Sequence, residues 1–383
     1  MPRSPGSELQ TIASQGLLRN LRPLDSGAGA SVIRNGRELH NFASNDYLGL
    51  ATHPALTDAF IEGIRRFGAG SASARLVCGT LPPHEALEAA VAQAKGTEAA
   101  LVFSSGFATA VGCLPAIVGR GDTIILDKLA HASLIDGARL SGATLRVFPH
   151  NDVAKLERLL ALLRAKDANS RILVVTESVF SMDGDLCPLA EIVRVVESHD
   201  ALLWLDEAHA FGVIGPRGMG LAAELGLQDR IAFQMGTFSK AAGLSGGYVA
   251  ASSEWIKLLI NRARAFIYST APPPALAHAC IASLELMRSE EGDALRKRLH
   301  KHLLLAGGGG AMPTPIVPVI LGESESALAA AMQLEDQGFM VPAIRYPTVP
   351  RGTARLRISH SAAHDPETVL LLMQALKSVT KGR

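Results

Sequence analysis

RILVVTESVFSMDGDLCPLAEIVRVVESHDALLWLDEAHA, residues 171–210, decides the fold. An apolar, β-branched run (171–180) leads into LAEIVRVVESHD (189–200), whose apolar residues recur at i, i+3, i+4 and i+7 as on one helix face. A second apolar run, ALLWLDE (201–207), follows directly. Strands apolar on both faces and joined through a helix belong to a parallel sheet covered on both sides. The same alternation extends outward through ALVFSSG (100–106), TIILD (123–127), the helical DVAKLERLLALLRAK (152–166), IAFQMGT (231–237) and GGYVAAS (246–252). The expected class is α/β, with a large, mostly parallel sheet.

Beyond this core, residues from Pro274 to about Leu305 read as one helix leading away, and Gly307–Gly310 as a loop or break. IVPVIL (316–321), SALAAAMQLEDQG (326–338), FMVPAI (339–344), ARLRISH (354–360) and a last helix from Asp365 suggest a smaller α/β domain. The expected organisation is an N-terminal arm over 1–40, a large domain over 41–285 and a small domain over 286–383.

The chain has 383 residues, 48% hydrophobic and 19% charged, enough apolar material for a substantial core. Lys and Arg number 37 against 36 Asp and Glu, so the basic excess of a phosphate-neutralising nucleic-acid binder is absent. Cys78, Cys113, Cys187 and Cys280 have no C-x-x-C spacing, which suits a reducing compartment. The opening residues lack the apolar run of a signal peptide, and no apolar stretch of about 18 residues could span a membrane. The expectation is a soluble, cytoplasmic protein.

In α/β proteins chemistry gathers beyond the carboxyl ends of the strands. Three polar clusters fall there: Asp206-Glu207-Ala208-His209, Thr237-Phe238-Ser239-Lys240 and Ser104-Ser105-Gly106-Phe107. Asp206 follows an apolar run, so its carboxylate needs a partner, in a structural ion pair or in a working site. DEAH is also a helicase box, but the chain has no Gly-Lys dipeptide and hence no phosphate-binding P-loop. Lys240 lies among small residues, where desolvation would favour Schiff-base chemistry; a lysine reaching out to solvent is the commoner outcome. A helix opening at Ser105-Gly106-Phe107 would aim free N–H groups at an anion. Gly243-Leu-Ser-Gly-Gly247 matches the hydrolase elbow G-x-S-x-G, but its strand follows the serine instead of preceding it. No G-x-G-x-x-G occurs, which argues against a nicotinamide-binding domain.

With these features in hand, the chain resembles the α-oxoamine synthases, a family of fold-type I pyridoxal-phosphate (PLP) enzymes. The resemblance runs from about Asn41 to Ser361 through NFASNDYLGL (41–50), RLVCGT (75–80), DKLAHASLIDGARLSGA (127–143), TESVFSMDGD (176–185), LWLDEAHAFGVIG (203–215), GTFSKAAGLSGGYVA (236–250), FIYSTAPPPA (266–275) and IRYPTVPRGTARLRIS (344–359). It implies PLP as cofactor, with Lys240 holding its aldehyde and then serving as base, and Asp206 keeping the ring nitrogen protonated. It also implies that His209 bonds the ring's phenolic oxygen and that His131 stacks on the ring. Gly106, Phe107 and Thr237 would hold the phosphate, and Ser181 would lie near the ring substituents. Arg357 would grip an amino-acid carboxylate, and Arg19 and Thr348 match further substrate-contacting positions. RLSGATLRVFPHNDV, TFSKAAGLSGG and AIRYPTVPRGTARLR are most similar to family members that condense L-alanine with pimeloyl-CoA or pimeloyl-carrier protein in biotin synthesis. The alternative is a sister enzyme joining glycine or serine to another acyl-CoA. The family is homodimeric, and Ser269 and Thr270 would reach the neighbouring subunit's phosphate site. Phe211, Ala72 and Ala74 depart from the usual small, hydroxyl or glycine residues.

Overall fold

The computed structural model describes residues 4–307 and 312–380. The chain divides into two compact units: one comprises Asp46–Ser181 and Asp185–Arg298, the other Met1–Asn45, Met182–Gly184 and Leu299–Arg383.

The larger unit is built on a seven-stranded sheet in the order Ala99–Phe103, Gly247–Ala251, Phe233–Thr237, Leu202–Asp206, Ile172–Glu177, Thr123–Asp127, Thr144–Phe148. Gly247–Ala251 is antiparallel to both neighbours and the remaining pairs are parallel. Trp204, Phe233, Leu173, Val175 and Val249 are buried in one core with residues of the Gly106–Ile117 and Ala132–Ser141 helices. Each such large apolar side chain contributes about 1.5–3 kcal/mol by leaving water. The two helices pack closely because Gly137 has no side chain; a Cβ there would lie 2.8 Å from the carbonyl oxygen of Ala110.

Two elements differ from the sequence expectation. Thr144–Phe148 is a strand that the apolar-run criterion missed, since at the sheet's edge only Phe148 is buried. The region expected as one helix from Pro274 is two, Pro274–Met287 and Glu290–Leu305. Ser289 separates them: its Oγ accepts the Gly292 N–H at 3.3 Å, an N-cap that starts a new helix.

Also in the larger unit, a π-helical turn, Arg75–Gly79, is fastened by two bonds from Arg75 to the Glu88 carboxylate at 2.9 and 3.0 Å. Leu76 and Val77 remain exposed on it, by 53% and 80%.

In the smaller unit, Ile316–Gly322 pairs antiparallel with Ala354–Ser359, which pairs antiparallel with Ala343–Ile344. The helices Ser324–Asp336 and Pro366–Thr380 share a core with these strands through Leu334, Leu356, Ile358, Val369 and Leu372. Ser31–Arg34 and Arg37–Asn41 form a hairpin whose second strand pairs parallel with Phe339–Met340. That pairing places residues 1–45 with the C-terminal residues, where the sequence suggested a separate arm ending at 40. The second division falls between 298 and 299, inside the Glu290–Leu305 helix, rather than after 285. Of the expected break at Gly307–Gly310, positions 308–310 lie outside the described residues.

Candidate active site

Three adjacent strands of the larger sheet end at Glu177, Asp206 and Thr237, with Glu177 level with Asp206 and Asp206 level with Met235. The turns after the last two carry His209 and Lys240. Lys240 Nζ lies 2.8 Å from His209 Nε2, and His209 Nδ1 lies 2.6 Å from the Tyr47 hydroxyl. Lys240 is therefore directed into the fold instead of out to solvent. Asp206 is 5% exposed and accepts the Ala208 N–H at 2.9 Å. Burial raises its carboxyl pKa, while the charge of Lys240, the Ala208 bond and His131 oppose the rise.

Glu207, next in sequence, serves a different purpose. It forms an ion pair with Lys95, both side chains fully buried, and accepts the Ala222 N–H at 3.0 Å. Gly220 has φ +102, and a Cβ there would lie 2.4 Å from the Glu207 carboxylate. DEAH thus presents its aspartate and histidine to the site and spends its glutamate on the interior.

Ser105 caps the Gly106–Ile117 helix, its Oγ accepting the Ala108 N–H at 3.0 Å. The amides of Gly106 and Phe107, at the first two helical positions, have no intrahelical acceptor. A Cβ at Gly247 would lie 2.6 Å from the Gly106 nitrogen, so glycine at 247 leaves that amide uncovered. The Thr237 hydroxyl donates to the Gly246 carbonyl at 2.6 Å and sits 2.8 Å from Ser239 Oγ. Ser239 is the exposed hydroxyl of the pair, a residue that the sequence placed in a polar cluster without giving it a role.

His131 caps the Ala132–Ser141 helix, its Nδ1 accepting the Ser133 N–H at 3.2 Å. The residue is open to solvent, yet its surroundings, through partial burial first and Lys240 second, lower its pKa, against Asp206 and Asp136. Its backbone N–H donates to Glu177 Oε1 at 2.5 Å. Ser181 is half-buried in the turn after the Ile172–Glu177 strand.

The expected substrate residues Arg357, Arg19 and Thr348 lie in the smaller unit, and Ser269 and Thr270 in the larger. Arg357 is 5% exposed, and its Nη1 donates to Asn45 Oδ1 at 3.1 Å and Ser359 Oγ at 2.8 Å. Arg19 and Thr348, 329 positions apart, line one recess of about 500 Å³ together with Arg22 and Arg345. Arg345 Nη2 donates to the Leu18 carbonyl at 3.0 Å, next to Arg19. Tyr47, Glu177, Ser239 and Arg345 all fell inside quoted stretches, but none was assigned a role from the sequence.

The departures pack without disturbing these groups. Phe211 is buried edge-on to Phe238 and Tyr248, with ring centroids 6.1 and 5.2 Å away. Ala72 sits at φ +55, a left-handed conformation that glycine adopts more readily.

The larger unit therefore offers a phosphorylated aromatic aldehyde matching groups: an amine at Lys240, a buried carboxylate at Asp206, an imidazole between amine and phenol, and an uncovered helix N-terminus. The glycine-shaped clearance at 247 suits a bulky anion on those amides. Comparison with known proteins agrees. The family model for aminotransferase class I and II matches residues 37–376. An 8-amino-7-oxononanoate synthase from Geobacter sulfurreducens is 47% identical, aligned over 100% of this chain and 99% of its own length. Among solved structures, a serine palmitoyltransferase with PLP as an internal aldimine matches with TM-score 0.90 and 30% identity, covering 97% of this chain and 96% of that one. An 8-amino-7-oxononanoate synthase from Francisella tularensis matches with TM-score 0.75 and 26% identity, over 90% and 98%. With the family model spanning most of its length and such a relative aligned end to end, the chain belongs to the aminotransferase class I and II family and, within it, to the 8-amino-7-oxononanoate synthases.

Proposed function

We propose that this chain is a PLP-dependent acyltransferase that condenses L-alanine with pimeloyl-CoA, or the pimeloyl-carrier-protein thioester, to give 8-amino-7-oxononanoate with loss of carbon dioxide, a step of biotin synthesis. The observation that carries the reading is the Lys240 amine, 2.8 Å from His209 and next to the strand end that holds buried Asp206. The 47% identity to a whole-length relative of that name supports the choice of substrates.

Bound PLP supplies an electron sink that makes the amino acid's α-carbon acidic. Lys240 would hold the aldehyde and, once the amino acid's amine has displaced it, would be free to take the α-proton on Nζ. Asp206 keeps a proton on the ring nitrogen, and the low exposure of its carboxylate strengthens that pairing. His209, fixed by Tyr47, orients the ring's phenolic oxygen and lies within reach of Nζ. The Gly106 and Phe107 amides, with the hydroxyls of Thr237 and Ser239, hold the phosphate. His131 covers the ring face, and Ser181 borders its substituents. Arg357 grips the alanine carboxylate, aligning the bond to be broken. Arg19 and Thr348 contact substrate. The assembly is a cytoplasmic homodimer, in which Ser269 and Thr270, next to exposed Tyr268, reach the neighbouring copy.

A thioester-cleavage assay crossing alanine, glycine and serine with pimeloyl, acetyl, succinyl and palmitoyl donors tests the reading. Alanine with the pimeloyl donor should turn over fastest; preference for another pair would move the chain to a sister activity. Lys240→Ala should lose turnover by about a thousandfold or more.

A further inference from the structure

We infer that Glu177 is a positioning residue of this site: its carboxyl group, level with Asp206 on the neighbouring strand, anchors His131 by the backbone amide. The inference rests on the cofactor reading above and gives a role to a residue that neither the motifs nor the family resemblance singled out.

The geometry is specific. Glu177 ends its strand level with Asp206 on the next, so both carboxyl groups belong to one end of the sheet. Glu177 is 2% exposed, and its Oε1 accepts the His131 N–H at 2.5 Å. His131 in turn caps the Ala132–Ser141 helix, so this bond fixes where the helix and its capping imidazole begin. The charged groups acting on Glu177 are Asp206, Lys240 and Asp127, and the His131 backbone amide bonds it. Burial pushes its carboxyl well above the usual range, and the Asp206 charge adds to this; Lys240 and the His131 amide pull the other way. Two carboxyl groups in one dry pocket resist ionising together. Asp206 is the better placed to keep the charge, because Ala208, Lys240 and His131 all favour its anion. These directions make Glu177 the member of the pair disposed to hold a proton as a neutral acid. One negative charge, not two, then faces the cofactor ring, while the carbonyl oxygen of the acid still accepts the His131 amide.

The experiment uses apo-protein titrated with PLP. If wild-type protein gains no visible absorbance and hydride trapping finds no adduct on Lys240, the cofactor reading itself fails. With that adduct present, Glu177→Ala should weaken PLP binding by about tenfold or more, and Glu177→Gln should recover it to within about threefold. The amide oxygen of glutamine accepts the same N–H without adding charge. The pH midpoint of the cofactor's visible band should stay within about 0.3 unit in Glu177→Gln. Wild-type PLP affinity in Glu177→Ala, or Glu177→Gln binding as weakly as alanine, overturns the positioning role. A midpoint displaced by about one unit or more in Glu177→Gln overturns the neutral acid, and this reading holds even if the alanine variant fails to fold.

Discussion

Asp206 and Glu207 are consecutive, both buried, and opposite in use. Glu207 is paired to Lys95, so Glu207→Gln strands a buried ammonium and should cost about 3–5 kcal/mol in urea unfolding. Asp206→Asn removes a carboxylate whose ionisation burial already opposes. It should leave the unfolding midpoint close to wild type while lowering turnover by about a hundredfold or more. Equal stability losses in the two variants would contradict this division. The sequence brought Asp206, His209 and Lys240 to notice through short spacing and apolar context. It could not reveal that the adjacent glutamate has a lysine partner 112 positions away, because that pairing exists only after the sheet forms.

At the level of elements, the site depends on how one helix meets two strand ends. Ser105→Ala removes the cap of the Gly106–Ile117 helix and should cost about 1 kcal/mol. Gly247→Ala is more severe for the anion cradle: its methyl would lie 2.5 Å from Thr109 Oγ1 and 2.6 Å from the Gly106 nitrogen. Phosphate-dependent PLP affinity should therefore fall in Gly247→Ala, with pyridoxal lacking the phosphate affected less; equal losses for both ligands would argue against the cradle. Apolar runs located the buried strands well because a strand covered on both faces has a near-continuous signature. Thr144–Phe148 escaped because an edge strand keeps polar residues, and the helix break escaped because a Ser289 cap is a local event inside a continuing periodic pattern.

Across the whole molecule, the division into units was legible only approximately. Arg37–Asn41 joins Phe339–Met340 through a pairing about 300 residues apart in sequence, which no local pattern records. The smaller unit also gathers histidines around Phe42. His364 stacks on it at 4.0 Å and lies 3.0 Å from the Asn41 carbonyl, while His302 Nδ1 lies 3.0 Å from the Ser361 carbonyl. His360 is fully buried, and neither ring nitrogen has a hydrogen-bond partner. Burial first, then His364 and His302, push the His360 pKa down to about 3. Burial, His302 and His40 push that of His364 down to about 4, against the Asn41 bond and Asp365. Both rings fold neutral, so the unfolded chain binds more protons below about pH 6.5, and stability is full above that pH and falls as the solution is acidified. Each ring should cost about 1.4 kcal/mol per pH unit, so a urea midpoint that drops between pH 7.5 and 5, and drops less in His360→Phe, is the expected result.

The π-helical turn at Arg75–Gly79 has one more consequence. Cys113, Cys187 and Cys280 are buried with thiols pushed up by burial, whereas Cys78 rides exposed on that turn beside Val77. Native protein should take up one equivalent of a maleimide dye per chain, and only there. If two copies meet over this ridge, labelling will be slow at high concentration and quicken on dilution, turning a single thiol into a built-in gauge of self-association.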